Sequence, residues 1–116
     1  MLPNPNLQQA WGLLSLAIAF EVAGSTCMKL CEGFTRLTPS LMMFGFYAIS
    51  FALNTVVVRT LGLSVVYAVW SGAGTLITAF IGYLYFKEPA TALKMASAGL
   101  IVIGVFGLYA GSMRTV

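Results

Sequence analysis

Four apolar stretches, each about as long as a bilayer crossing and joined by short connections, constrain this chain more than any other feature. A helix crossing the hydrocarbon core takes roughly 20 mostly apolar residues. A chain of 116 residues, 59% hydrophobic and 8% charged, therefore holds about four such spans and no separate soluble module. The predicted spans run from about Ala10 to Leu30, Ser40 to Val58, Leu63 to Phe86 and Thr91 to Ser112. Inside a bilayer the backbone must satisfy its own polar groups, which a helix does alone. Connections this short make neighbouring helices antiparallel. The expected fold is an all-α membrane protein, a single four-helix transmembrane domain over residues 1–116. A mean hydropathy of +0.93 excludes an ordinary soluble domain.

The segment Met1 to Asn6 is polar and carries no basic side chain. The apolar stretch behind it is too long for a signal peptide and has no small-residue cleavage site, so it is expected to remain as the first span. The net charge of +3 comes from scattered basic residues at span ends, with no run suited to nucleic acid. Lys29, Arg36, Lys87 and Lys94 fall on the first and third connections, Arg59 and Arg114 on the opposite side. By the positive-inside rule that places both termini outside. The bias is small enough that insertion in both orientations stays open. His is absent, and Cys27 and Cys31 lie four apart on one predicted helix. That pattern gives no zinc site, no disulfide framework and no cofactor; both cysteines read as packing residues.

Glu21 stands alone as an acidic residue well inside a span, with no basic residue within a turn or two. An intramembrane ionisable group is a functional hypothesis by default. The alternative is a Glu that pairs with a basic group on another helix to hold the bundle, but Arg59, Lys87 and Lys94 sit where they can snorkel to water. Low dielectric disfavours a charged carboxylate, and a second carboxylate nearby disfavours it further. An entering cation has the opposite effect, so proton and cation compete for one site.

Steps of three, four and seven from Glu21 place Leu14, Ala17, Ile18, Gly24, Ser25 and Met28 on its face. Span three offers Tyr67, Trp70, Ser71 and Gly74, and span two offers Tyr47, Phe51 and Asn54. Together they form a candidate aromatic cage in which each cation–π contact contributes roughly 0.5 to 2 kcal/mol. Such stripes also arise from packing or interfacial anchoring. Gly72 and Gly74 mark a position where span three can kink or let another backbone approach. On span four, Ser97, Gly104 and Gly111 recur every seven residues, with Gly99 and Gly107 nearby, a stripe suited to a tight seam between protomers.

These residues resemble the small multidrug resistance family of four-helix transporters over nearly the whole chain. The resemblance rests on Phe20-Glu21-Val22-Ala23-Gly24-Ser25-Thr26, Met28-Lys29, Glu32 to Leu37 with Pro39-Ser40, and Tyr67 to Gly74. It implies an antiparallel, dual-topology dimer in a bacterial inner membrane, with the Glu21 pair binding either protons or substrate. It further implies that Trp70, Tyr67 and Tyr47 are binding-site aromatics. Gly72 to Gly74 would be the kink of alternating access, and Ser97 and Gly104 would lie on the dimer seam.

The family's guanidinium-exporting branch typically has Trp three residues after the key Glu, whereas the branch exporting quaternary ammonium and other lipophilic cations has a small residue there. Gly24 places the chain nearer the latter. Departures are Gly62 and Ser64 in place of the usual Pro and Gly, and the charged Lys87-Glu88-Pro89 connection. The expected function is proton-coupled export of hydrophobic organic cations by a homodimer. The alternatives are a guanidinium exporter, one subunit of a paralogous heterodimer, and a non-transporting structural protein. No nucleophile with a base, metal cluster or phosphate loop suggests an enzyme.

Overall fold

The computed structural model describes residues 6–114; residues 1–5, and with them most of the Met1 to Asn6 segment, residues 115–116, and the side chains of Met113 and Arg114 lie outside what it describes. Four helices follow one another: α1 (Leu7–Leu30), α2 (Leu37–Leu61), α3 (Leu63–Tyr85) and α4 (Ala92–Arg114). Each contains a stretch long and apolar enough to cross a membrane, and the described residues contain no strand.

The helices extend past several of the boundaries that hydropathy sets. α1 begins three residues before Ala10 because Asn6 caps it: the Asn6 side chain accepts from the Gln9 amide at 2.8 Å, and the Gln9 side chain accepts from the Asn6 amide at 3.1 Å. That reciprocal box satisfies two donors that a helix start leaves open. Pro39 sits in the first turn of α2, where a missing N–H breaks no intrahelical bond. The connection expected between Val58 and Leu63 shrinks to Gly62, whose φ of +86° and ψ of 158° turn the chain within one residue.

α1 is the hub, packing most extensively on α2 and next on α3. Its buried face supplies Ala10, Leu14, Ile18 and Val22, which meet Val57 of α2 and Val66 of α3. α4 lies against α3, and Gly72 sets that approach: a Cβ there would fall 2.8 Å from Val105 Cγ2 and 3.3 Å from Ile101 Cγ2. The bundle is flat, 46 × 39 × 18 Å, and none of the membrane-spanning residues of α4 is buried. α1 and α3 run parallel, so a residue's level on one can be read across to the other.

Candidate functional site

Glu21 projects from the middle of α1 toward α3 and is half-buried. Its Oε1 accepts a hydrogen bond from Ser25 Oγ at 3.1 Å, one turn further along the same helix. Its Oε2 is buried with no hydrogen-bond partner among the described residues. The carboxylate rests on the bare backbone of Gly74, where a Cβ would collide with Oε2. Among the described residues Glu21 has no ion-pair partner; Lys29, two turns away, lies 3.9 Å from Glu88, and Arg36, past the end of α1, lies 3.5 Å from Glu32.

Ser25 carries the network onward, its Oγ lying 2.8 Å from Tyr47 Oη. A serine hydroxyl has one proton. While Ser25 gives it to an ionised Glu21, Tyr47 donates to Ser25; when Glu21 holds a proton, the chain can run the other way. The same three groups thus serve both protonation states. Tyr47 reaches this position because Gly24 leaves its ring a seat on α1: a Cβ at Gly24 would lie 3.2 Å from Tyr47 Cδ1 and Cε1.

A second cluster lies one turn away, toward the N-terminal ends of α1 and α3. Trp70 Nε1 donates to Ser50 Oγ at 3.1 Å, and Ser50 donates to the Ala17 carbonyl at 2.7 Å. The fully buried Ser50 therefore fixes the indole against α1. The Trp70 ring meets Phe51 edge-on, centroids 5.3 Å apart, and Tyr67 at 6.0 Å. These three rings, with Asn54, Thr55 and neighbouring apolar side chains, line a groove of about 210 Å3 between α2 and α3. Asn54 is buried, and both polar atoms of its amide lack partners among the described residues.

The sequence-predicted residues therefore fall into distinct places. Glu21, Gly24, Ser25, Tyr47 and Gly74 meet in one cluster, and Phe51, Tyr67 and Trp70 in the other. Leu14 and Ala17 are core residues, Ala17 contributing its carbonyl. Ser71 is exposed and donates back to the Tyr67 carbonyl at 2.6 Å. α3 continues as one helix through Gly72 and Gly74. Ser97, Gly104 and Gly111 are exposed on α4, apart from both clusters. Ser50 is the functional residue that the spacing argument passed over, although it lies three residues from Tyr47 and four from Asn54, on the same face.

A family model described as Small Multidrug Resistance protein matches residues 9–101. Similar relatives include YvaE, an uncharacterized membrane protein of Bacillus subtilis, 46% identical over 84% of this chain and 82% of its own length. The guanidinium exporter of Salmonella typhimurium is 38% identical over 85% of this chain and 94% of its own length. The quaternary ammonium compound-resistance protein QacG of a Staphylococcus species is 38% identical over 79% and 86%.

Proposed function

Because the chain belongs to the Small Multidrug Resistance family, and is therefore a multi-pass membrane transporter and not an enzyme, we propose that it exchanges protons for hydrophobic organic cations. Quaternary ammonium compounds are the substrate class, and the bacterial inner membrane is the place of action. One observation carries the reading: a carboxylate in mid-span has one oxygen held by Ser25 and the other buried, with neither a hydrogen-bond partner for that oxygen nor an ion-pair partner among the described residues. A charged carboxylate removed from water is costly unless something compensates it. Two things can, a proton or a positively charged substrate, and each excludes the other.

The aromatic cluster one turn away supports an organic cation as that substrate. Quaternary ammonium ions have no N–H to donate and are recognised through aromatic faces, of which Trp70, with Tyr67 and Phe51 each against it, supplies a cluster. Gly24 further favours bulky substrates, since a Trp in its place would take the space that Tyr47 occupies. Guanidinium is the second reading. It is favoured by the similarity to proteins named guanidinium exporters, and a planar N–H donor would suit the unpartnered Glu21 oxygen.

The working unit in this proposal is an antiparallel homodimer, in which the partner brings a second Glu21 to the site. An α4 without a buried spanning residue fits a face covered by another copy through Ser97, Gly104 and Gly111. Proton release from purified protein tests the reading. Adding a lipophilic quaternary ammonium ion should release protons from the native protein and none from Glu21→Gln. Release from both would sink the mechanism, and release by guanidinium alone would move the substrate to the second reading.

A further inference from the structure

Below Glu21, toward the C-terminal ends of α1 and α3, the seam between these helices is polar. Positions 17, 21, 25 and 29 of α1 face 70, 74, 78 and 82 of α3, level by level. Ala17 is tied to Trp70 through Ser50, and Glu21 rests on Gly74. Ser25 and Thr78 line one small cavity, and Lys29 meets Glu88, whose carboxylate is seated on Gly82. The cavity, about 70 Å3 and walled also by Thr26 and by the apolar Ile81 and Phe86, has room for two waters at about 30 Å3 each.

One wall holds a group that wants such a water: Thr78 Oγ1 is buried with no hydrogen-bond partner among the described residues. Glu21 Oε2, one turn above and outside the lining, likewise has none. Ser25 touches both ends of the problem, lining the cavity while donating to the carboxylate. At the far end Lys29 stands in the last turn of α1 and Glu88 in the connection after α3, so the pair marks the end of the span, where charged side chains reach water. The third connection folds back to put it there: Lys87 adopts φ +58°, and the Glu88 amide donates to the Gly82 carbonyl at 3.0 Å. From Glu21 to Lys29 is two turns, about 12 Å of helix. In the other direction α1 contributes Leu14 and Ile18 to the core, where they pack with Val57 and Val66.

We propose that this cavity is the hydrated entrance through which protons reach Glu21, with Thr78 positioning its water and the Lys29–Glu88 pair forming its mouth. The proposal rests on Glu21 as the proton-carrying group. A proton leaving the Glu21 carboxyl passes to a water held by Thr78 and on to the aqueous face beside Lys29 and Glu88. The titratable groups along that route are Glu21, Lys29 and Glu88. The aromatic groove lies toward the opposite ends of the helices, so proton and organic cation approach the carboxylate from different directions within one protomer.

Two measurements test this separately. In a background with Cys27 and Cys31 replaced by Ala, Thr78→Cys should react with N-ethylmaleimide, which needs a water-ionised thiol, at least about tenfold faster than Val57→Cys in the core. Equal rates in folded protein would show the cavity to be dry and overturn the proposal. In Thr78→Val, the amount of proton released on adding a saturating quaternary ammonium ion should be native and cation affinity within about twofold. The release rate after rapid mixing should fall about tenfold, equivalent to one lost hydrogen-bonded link of about 1.4 kcal/mol. A native rate would remove Thr78 from the route. Native protein that releases no proton would defeat the antiport reading, and the labelling result would still decide whether the cavity holds water.

Discussion

Gly72 and Gly74 are two residues apart on α3, and adding a methyl group to each should do opposite things. In Gly74→Ala the new Cβ meets Glu21 Oε2 and lies 3.1 Å from Glu21 Cδ. The obstacle is the end of a flexible side chain, so the carboxylate swings aside and the helices stay put. Swinging aside breaks the Ser25 bond, and a hydrogen bond to a charged group contributes about 1.5–3 kcal/mol. Cation affinity should therefore fall about 10- to 100-fold. Stability should change by less than about 1 kcal/mol, since Ala suits a helix better than Gly. In Gly72→Ala the new Cβ meets Val105 and Ile101, β-branched side chains that are stiff at χ1. α4 has to move, at about 1–3 kcal/mol, while the carboxylate keeps its seat. Calorimetric titration with a lipophilic phosphonium ion and thermal unfolding in detergent read the two effects. If Gly74→Ala binds with native affinity, or Gly72→Ala loses more affinity than Gly74→Ala, the assignment of Gly74 as the seat of the carboxylate is wrong.

Ser50→Ala removes the acceptor of the Trp70 indole and should lower stability by about 1–3 kcal/mol, with a shift in tryptophan emission on cation binding; unchanged unfolding and emission would show the bond to be incidental. Gly24→Trp should displace Tyr47 and reduce resistance to bulky quaternary ammonium compounds in cells while sparing guanidinium tolerance, and equal loss of both would point to misfolding instead of selectivity. Gly104→Leu should weaken self-association in detergent, because a large side chain would hold the proposed α4 seam apart; a native dimer fraction by sedimentation counts against that seam.

The spans were legible because hydropathy and helix length suffice to find them, and Glu21 because a lone carboxylate in an apolar run has no bland companion in the sequence. The 3.6-residue period also placed Tyr47, Phe51, Tyr67 and Trp70 on usable faces. Period alone does not say which face meets which helix, so one proposed cage resolves into a Glu21–Ser25–Tyr47 chain and a separate aromatic groove. Some of what was missed was written locally. Asn6 and Gln9 spell a capping box ahead of the apolar run, and Ser50 shares the face of Tyr47 and Asn54. The return of Glu88 onto Gly82 was not written there, because it depends on a left-handed turn at Lys87, a residue with no sequence preference for it.

Glycine shows most clearly why composition underdetermines such a site. A glycine in an apolar span reads as helix weakness or close packing, yet three here serve as seats for polar or aromatic side chains: Gly24 for Tyr47, Gly74 for Glu21 and Gly82 for Glu88. Each lets a side chain lie directly on helix backbone; Glu88 also has Lys29 beside it, whereas Glu21 has no ion-pair partner among the described residues. Gly104, with open space where its Cβ would be, carries no such load inside the chain. For Gly74 and Gly82 a single methyl group meets the tip of a flexible carboxylate, so it evicts the functional group and leaves the helix whole. Function at these two positions is therefore more easily lost than the fold, the reverse of an ordinary packing glycine such as Gly72. Glu21, held this way with no ion-pair partner among the described residues, meets the condition under which a proton or a cation has to supply the compensating charge.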